Sequence, residues 1–150
     1  MSLGPKRVLF VCLGNACRSQ MAEAFARAYG GDVLIAASAG LAPAMDIAPD
    51  TIRAMAEKNI DLRDQFPKGV RHLGHAQFDL VINMTSFPVP EDIGAHVEEW
   101  DVPDPVLMDY PGHCEVRDQI ERSVMNLIFR LRQEQRAPHF RGFGSEWLKP

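Results

Sequence analysis

Cys12 and Arg18 bracket five residues, Leu13-Gly14-Asn15-Ala16-Cys17, directly after the apolar run Val8-Leu9-Phe10-Val11. A short loop between a strand and a helix can curl its successive backbone N–H groups around one tetrahedral anion, with no side chain needed as donor. The stretch from Ser19 through Met21, Ala22, Ala24 and Phe25 to Ala28 reads as the following helix, and its positive N-terminal end faces the same point. Both features favour thiolate over thiol at Cys12, and a thiolate is a ready nucleophile. Arg18 can hold two oxygens of the anion with one planar fork, which a lysine could not do. Gly14 and Asn15 are residue types that accept the left-handed backbone such a loop calls for. The chemistry implied is capture of an oxyanion above a nucleophilic sulfur.

The elements that must hold this loop follow from pattern. Lys6 to Val11 has continuous rather than alternating apolar character, the mark of a buried parallel strand. Val33 to Ala37 gives a second strand after the Gly30-Gly31-Asp32 break, ended by Ser38-Ala39-Gly40. Pro49 to Lys58 suits a helix with Ile52, Met55 and Ala56 on its apolar side, and Arg71 to Ala76 a short helix or turn. Phe78 to Met84 is the third strand and Val97 to Trp100 a short fourth. Cys114 falls in an expected loop before the longest helical pattern, Glu115 to Gln135, which aligns Val116, Ile120, Val124, Leu127, Ile128 and Leu131 on one face. The alternation predicts an α/β fold, an open and mostly parallel four-stranded sheet with helices on both faces. Ligands bind such sheets at the carboxyl ends of the strands, where Cys12 falls.

At 150 residues the chain fits one domain, expected over 1–136, followed by a tail over 137–150. The tail carries Phe140, Phe143 and Trp147 and is expected to dock on the body or on a neighbour. No stretch approaches the roughly 18 apolar residues of a membrane span, and no signal peptide is visible, so a soluble cytoplasmic protein with no membrane partner is expected. A net charge of −4 disfavours nucleic acid as a partner. Three cysteines argue against a disulfide framework. His72, His75, His96, His113 and His139 show no metal-ligand spacing with them, so no metal or cofactor is expected and the histidines read as surface or loop residues.

The string Val11-Cys12-Leu13-Gly14-Asn15-Ala16-Cys17-Arg18-Ser19, continuing into Met21-Ala22-Glu23, resembles the signature of the low-molecular-weight protein tyrosine phosphatases and their arsenate reductase relatives. Ser38-Ala39-Gly40 and Trp100-Asp101-Val102-Pro103-Asp104-Pro105 agree in order, so the resemblance spans about residues 6 to 132. It implies a phosphatase I-like fold and a two-step transfer through a cysteinyl-phosphate on Cys12. Arg18 and the amides of Leu13, Gly14, Asn15, Ala16, Cys17 and Arg18 would hold the anion. Asp104, preferred to Asp101 and Asp109 because Pro105 follows it, would serve as acid and then base. Ser19 would hydrogen-bond the sulfur, Asn15 would brace the loop, and Cys17 would form a reversible redox pair with Cys12.

The chain also departs from the family pattern. Ala42-Pro43-Ala44-Met45 and Val106-Leu107-Met108 stand where phosphotyrosine-directed members place aromatics, leaving Tyr110 as the nearest ring. Gln20, where many of the phosphatases have proline, and Asp61-Leu62 with Gln65 and Lys68 lean toward the reductase branch. Met84-Thr85-Ser86-Phe87 stands where a thioredoxin-linked reductase needs relay cysteines. Phosphomonoester hydrolysis of the phosphotyrosine type, on a phosphorylated protein or a small phosphate, remains the leading expectation, with efficient phosphotyrosine selectivity disfavoured by the missing aromatics. Arsenate reduction with a small-molecule thiol is the second, and a non-catalytic oxyanion-binding module the third.

Overall fold

The computed structural model describes residues 4–148, with side chains through Arg136. Four strands, β1 (Lys6–Cys12), β2 (Leu34–Gly40), β3 (Phe78–Asn83) and β4 (Gly94–Glu99), form one sheet in the order β2-β1-β3-β4. Every pairing is parallel, and the register sets Cys12 beside Gly40 and Val11 beside Asn83. The central position of β1 explains its unbroken apolar run, because Val8, Leu9, Phe10 and Val11 are all fully buried. Each such side chain contributes about 1.5–3 kcal/mol relative to an exposed one.

The three α-helices are α1 (Arg18–Gly30), α2 (Pro49–Ala56) and α3 (Tyr110–Leu148). One face of β1, through Val8 and Phe10, meets Met21 and Phe25 of α1, Met55 of α2, and Ile120, Val124 and Ile128 of α3. The opposite face, through Leu9 and Val11, is covered more thinly, by a 3-10 turn (Val70–Leu73) and flanking loops that bring Val70, Leu73, Ala76 and Ile93. At Gly30 the α1–α3 contact is so close that an added Cβ would lie 2.7 Å from Ile128 Cγ1.

Two helical expectations need correction. In α2 the buried residues are Thr51, Ala54 and Met55, whereas Ile52 and Ala56 face solvent. The helix offers one flank to α3 and turns its Thr51 side inward, so a polar residue holds the place that apolar pattern assigned to Ile52. Helix α3 begins five residues earlier than expected, because Asp109 Oδ1 accepts the Gly112 N–H at 2.9 Å and Pro111 sits in the first turn, where its missing N–H costs nothing. Cys114 therefore lies in the helix, half-buried, rather than in a loop. The backbone stays helical through the expected tail to Leu148, while docking by Phe140, Phe143 and Trp147 falls outside the described side chains.

Candidate active site

Residues 13–17 bend between β1 and α1. Their carbonyls are drawn outward by the segment after β2: Leu41 N donates to Cys12 O (3.1 Å), Ala42 N to Leu13 O (2.8 Å), Ala44 N to Gly14 O (2.9 Å) and Ala48 N to Ala16 O (3.1 Å). In a trans peptide the N–H points opposite the C=O, so the same contacts turn the loop amides inward. The backbone N–H groups from Leu13 to Arg18 are thus left without a protein acceptor among the described residues. Asn15 takes the left-handed conformation, with φ 50°, and Gly14 does not. The glycine that the loop does require is Gly40, where a Cβ would stand 2.7 Å from Leu13 O and 2.9 Å from Asn15 N.

At the base of the ring, Cys12 Sγ lies 2.8 Å from Ser19 Oγ, and both residues are buried. Asn15 Nδ2 donates to Ser19 Oγ at 2.7 Å, which leaves the serine its own proton to give to the sulfur. Asn15 is in turn fixed by the Lys68 N–H on its Oδ1 (3.0 Å) and by Gln20 Nε2 on its backbone oxygen (2.9 Å). Gln20 also reaches Phe66 O (3.0 Å) and accepts Gln65 Nε2 on Oε1 (2.7 Å). Gln20, Gln65 and Lys68, read from sequence only as branch markers, therefore knit the 65–68 segment to the cradle. Behind them the buried Glu23 accepts Ser38 Oγ (2.5 Å), pairs with Arg27 (2.6 Å) and lies 3.9 Å from Lys68 Nζ, whose ammonium burial pulls below its usual range.

Arg18 is buried, and its Nη1 donates to Met84 O (2.5 Å) and Val102 O (3.1 Å), tying the start of α1 to the end of β3 and to the 100–105 segment. Its Nη2 lies 3.5 Å from Asp104 Oδ2. Asp104, with 41% of its side chain exposed, faces the same cleft and accepts the Val106 N–H on Oδ1 (3.1 Å) at the start of a 3-10 turn (Pro105–Leu107). Asp109 caps α3, and Asp101 contributes a backbone oxygen to Gln119 (2.8 Å). Of the three candidate acids, Asp104 is the one beside Arg18. The rim is aliphatic, with Leu107 and Met45 at 95% and 93% exposure and Leu13 and Val106 also exposed. Tyr110 is engaged with α2: its hydroxyl binds Glu57, which pushes the phenol's ionisation up, and Arg53 stacks over the ring at 3.8 Å.

His113 departs most from the expected surface or loop role. It is buried, 2.7 Å from Thr51 Oγ1 through Nε2. Burial holds its imidazole below the usual range, against the pull of Asp50 and Asp104. Thr51 also stands beside Cys17, whose thiol burial pushes up to about 11. Chain distance hid this link, since 62 residues separate Thr51 from His113. His72, His75 and His96 are exposed as expected, and His139 lies outside the described side chains. Cys114 bonds Glu57 at 3.5 Å, away from the cradle.

A parallel α/β sheet carrying a cysteine beneath a ring of free amides, with a buried arginine and a facing carboxylate, defines a cysteine-based oxyanion enzyme class. The chain belongs to the low molecular weight phosphotyrosine protein phosphatase family, whose model matches residues 7–88. Similar proteins include a glutaredoxin arsenate reductase of Synechocystis, 33% identical over 130 residues that cover 84% of this chain and 98% of that one. An arsenate reductase of Bacillus anthracis is 37% identical over 123 residues, 79% of this chain and 91% of its own. Among solved structures, an arsenate reductase in the phosphate binding state superposes with a TM-score of 0.77 at 32% identity, covering 84% of this chain and 98% of that one. The YwlE arginine phosphatase from Geobacillus stearothermophilus does so at 0.75 and 26%, covering 90% and 98%. The chain is accordingly an enzyme of this family, with the family's fold.

Proposed function

We propose that the protein hydrolyses phosphomonoesters through Cys12. The sulfur attacks phosphorus while the amides of residues 13–18 and Arg18 hold the equatorial oxygens, and the leaving oxygen takes its proton from Asp104. In the second step Asp104 removes a proton from water, the water oxygen bonds to phosphorus, and the S–P bond breaks. The Ser19 hydroxyl then supports the departing sulfur. The carrying observation is that nucleophile, anion clamp and acid share one cleft, with Asp104 Oδ2 3.5 Å from Arg18 Nη2 and Cys12 Sγ 2.8 Å from Ser19 Oγ. The aliphatic rim and the engaged Tyr110 favour esters that need no aromatic slot over a strict phosphotyrosine preference.

Arsenate reduction with a small-molecule thiol is the second reading, favoured by the names of the relatives and by Gln20. With Cys17 buried and Cys114 in α3, no protein-borne thiol relay is on hand among the described residues, so this reading requires an external small-molecule thiol. Under peroxide, a sulfenate on Cys12 would condense with Cys17 and release water, provided Cys17 leaves Thr51. A panel of p-nitrophenyl phosphate, phosphopeptides, small phosphates and arsenate with an added thiol decides between the readings. The expected result is chelator-insensitive ester hydrolysis that Cys12→Ser abolishes. Arsenate-dependent thiol oxidation without ester hydrolysis would select the second reading, and phosphate binding with neither activity the binding module.

A further inference from the structure

Asn83 ends β3 with its side chain buried, and no step above uses it. Its amide is fully engaged all the same. Oδ1 accepts the Thr85 N–H (2.9 Å) and the Thr85 hydroxyl (2.7 Å), while Nδ2 donates to Phe87 O (2.7 Å) and to Glu99 Oε1 (3.3 Å). The Phe87 N–H in turn donates to Thr85 Oγ1 at 2.9 Å. These bonds close a turn over residues 84–87 in which Ser86 holds a left-handed backbone, φ 67°. Such a conformation in a serine persists where its surroundings over-determine it.

What the turn secures lies on the far side of one peptide group. Met84 C=O and Thr85 N–H belong to the same trans peptide and point in opposite directions. With the N–H held on Asn83 Oδ1, the carbonyl is aimed the other way, and there it accepts Arg18 Nη1 at 2.5 Å. The second acceptor of Nη1 is Val102 O at 3.1 Å, two residues after Trp100, whose N–H donates to Asn83 O at 2.9 Å. Both protons of Nη1 are thereby occupied, which leaves Nε and Nη2, one edge of the planar fork, for an anion. We propose that Asn83 is a positioning residue for oxyanion capture: its side-chain oxygen orients the Met84–Thr85 peptide so that Arg18 presents its Nε–Nη2 edge to the cradle. A peptide released from Asn83 can turn its carbonyl away and let the guanidinium swing. The loop amides and the Ser19 contact to Cys12 are held from elsewhere, by residues 41–48 and by Asn15, and would stay in place.

This inference rests on Arg18 being the anion clamp, and phosphate binding is read apart from ester hydrolysis to keep the two separable. Asn83→Ala and Asn83→Ser differ by one oxygen, and a serine hydroxyl can accept the N–H two residues on, more weakly than an asparagine does. Inorganic phosphate titrated calorimetrically should bind about tenfold more weakly to Asn83→Ala and within about threefold of wild type to Asn83→Ser. Labelling of Cys12 by iodoacetamide, which is neutral, should keep its wild-type pH profile in both. Unchanged phosphate affinity in folded Asn83→Ala, no recovery in Asn83→Ser, or a labelling profile that shifts along with affinity overturns the positioning role. If Asn83→Ala does not fold, nitrogen NMR of the Arg18 guanidinium decides: rotation about Cζ–Nη1 that is slow in wild type and faster in Asn83→Ser upholds the role, and equal rotation overturns it. A wild type that binds phosphate and hydrolyses no ester removes the hydrolytic reading alone, with the affinities still deciding on Asn83. A wild type that binds no phosphate removes both.

Discussion

The cradle and the Asp104 turn face each other across one cleft and are built to opposite standards. Asn15, Ser19 and Gln20 are wholly buried, and each hydrogen-bonds at least one other member of the loop or the 65–68 segment. The turn that Asp104 opens is three residues of 3-10 structure, Pro105–Leu107, with Val106 and Leu107 open to solvent. The side that binds a fixed tetrahedron has one geometry to keep, so redundancy suits it. The side that meets the variable remainder of a substrate is short, apolar and lightly tied, and Arg18 is the residue that touches both.

Arg18→Lys should break the contrast altogether, since a lysine loses the bidentate clamp, both carbonyl ties and the approach to Asp104. Turnover should fall on the order of 10³-fold or more, with phosphate inhibition weakened in parallel. Asp104→Asn should damage only the turn side: poor leaving groups slow by about 10²–10⁴-fold, while the phosphate inhibition constant and the alkylation rate of Cys12 stay put. Equal loss for good and poor leaving groups would contradict that division.

The cradle side can be probed by stability. The Cys17 thiol ionises near 9.0 when unfolded and about 11 when folded, so the unfolded chain releases its proton first as pH rises. Stability should therefore decline between these values by about 3 kcal/mol, and urea melts of Cys17→Ser should lack that decline. His113 has the opposite sign, because burial lowers its folded ionisation. Its contribution is full above the unfolded value near 6.5 and is lost as pH falls below it, a slope that His113→Phe should flatten. Asn15→Ala removes a brace and leaves the Lys68 amide unpaired, costing about 1–3 kcal/mol in urea melts. Met45→Ala should be the mildest change, within about 0.5 kcal/mol in stability and visible only in KM for bulky esters.

Much of this arrangement is legible in the letters. The apolar run of β1, the face of α3 from Val116 to Leu131 and the Cys12–Arg18 spacing each express a local period or loop length, and each stands where pattern puts it. Ile52 misleads because α2 packs by a flank chosen by its neighbours rather than by its own apolar stripe. The early start of α3 has a local signal in Asp109 and Pro111, which Gly112, a poor helix former in the first turn, masks. The Thr51–His113 contact had none: nothing in either residue's neighbourhood announces a partner on another helix. Gln20, Gln65 and Lys68 were visible as letters, but their work is done on backbone atoms of distant loops, which side-chain patterns do not encode.

The residues that turn the loop amides inward are the backbone N–H groups of Leu41, Ala42, Ala44 and Ala48, and the same short ribbon presents Met45 at the mouth of the cleft. Main chain and side chain here serve separate masters. A designer could therefore recast the entrance at position 45 with almost any non-proline residue and retune which esters enter, leaving the anion seat beneath undisturbed.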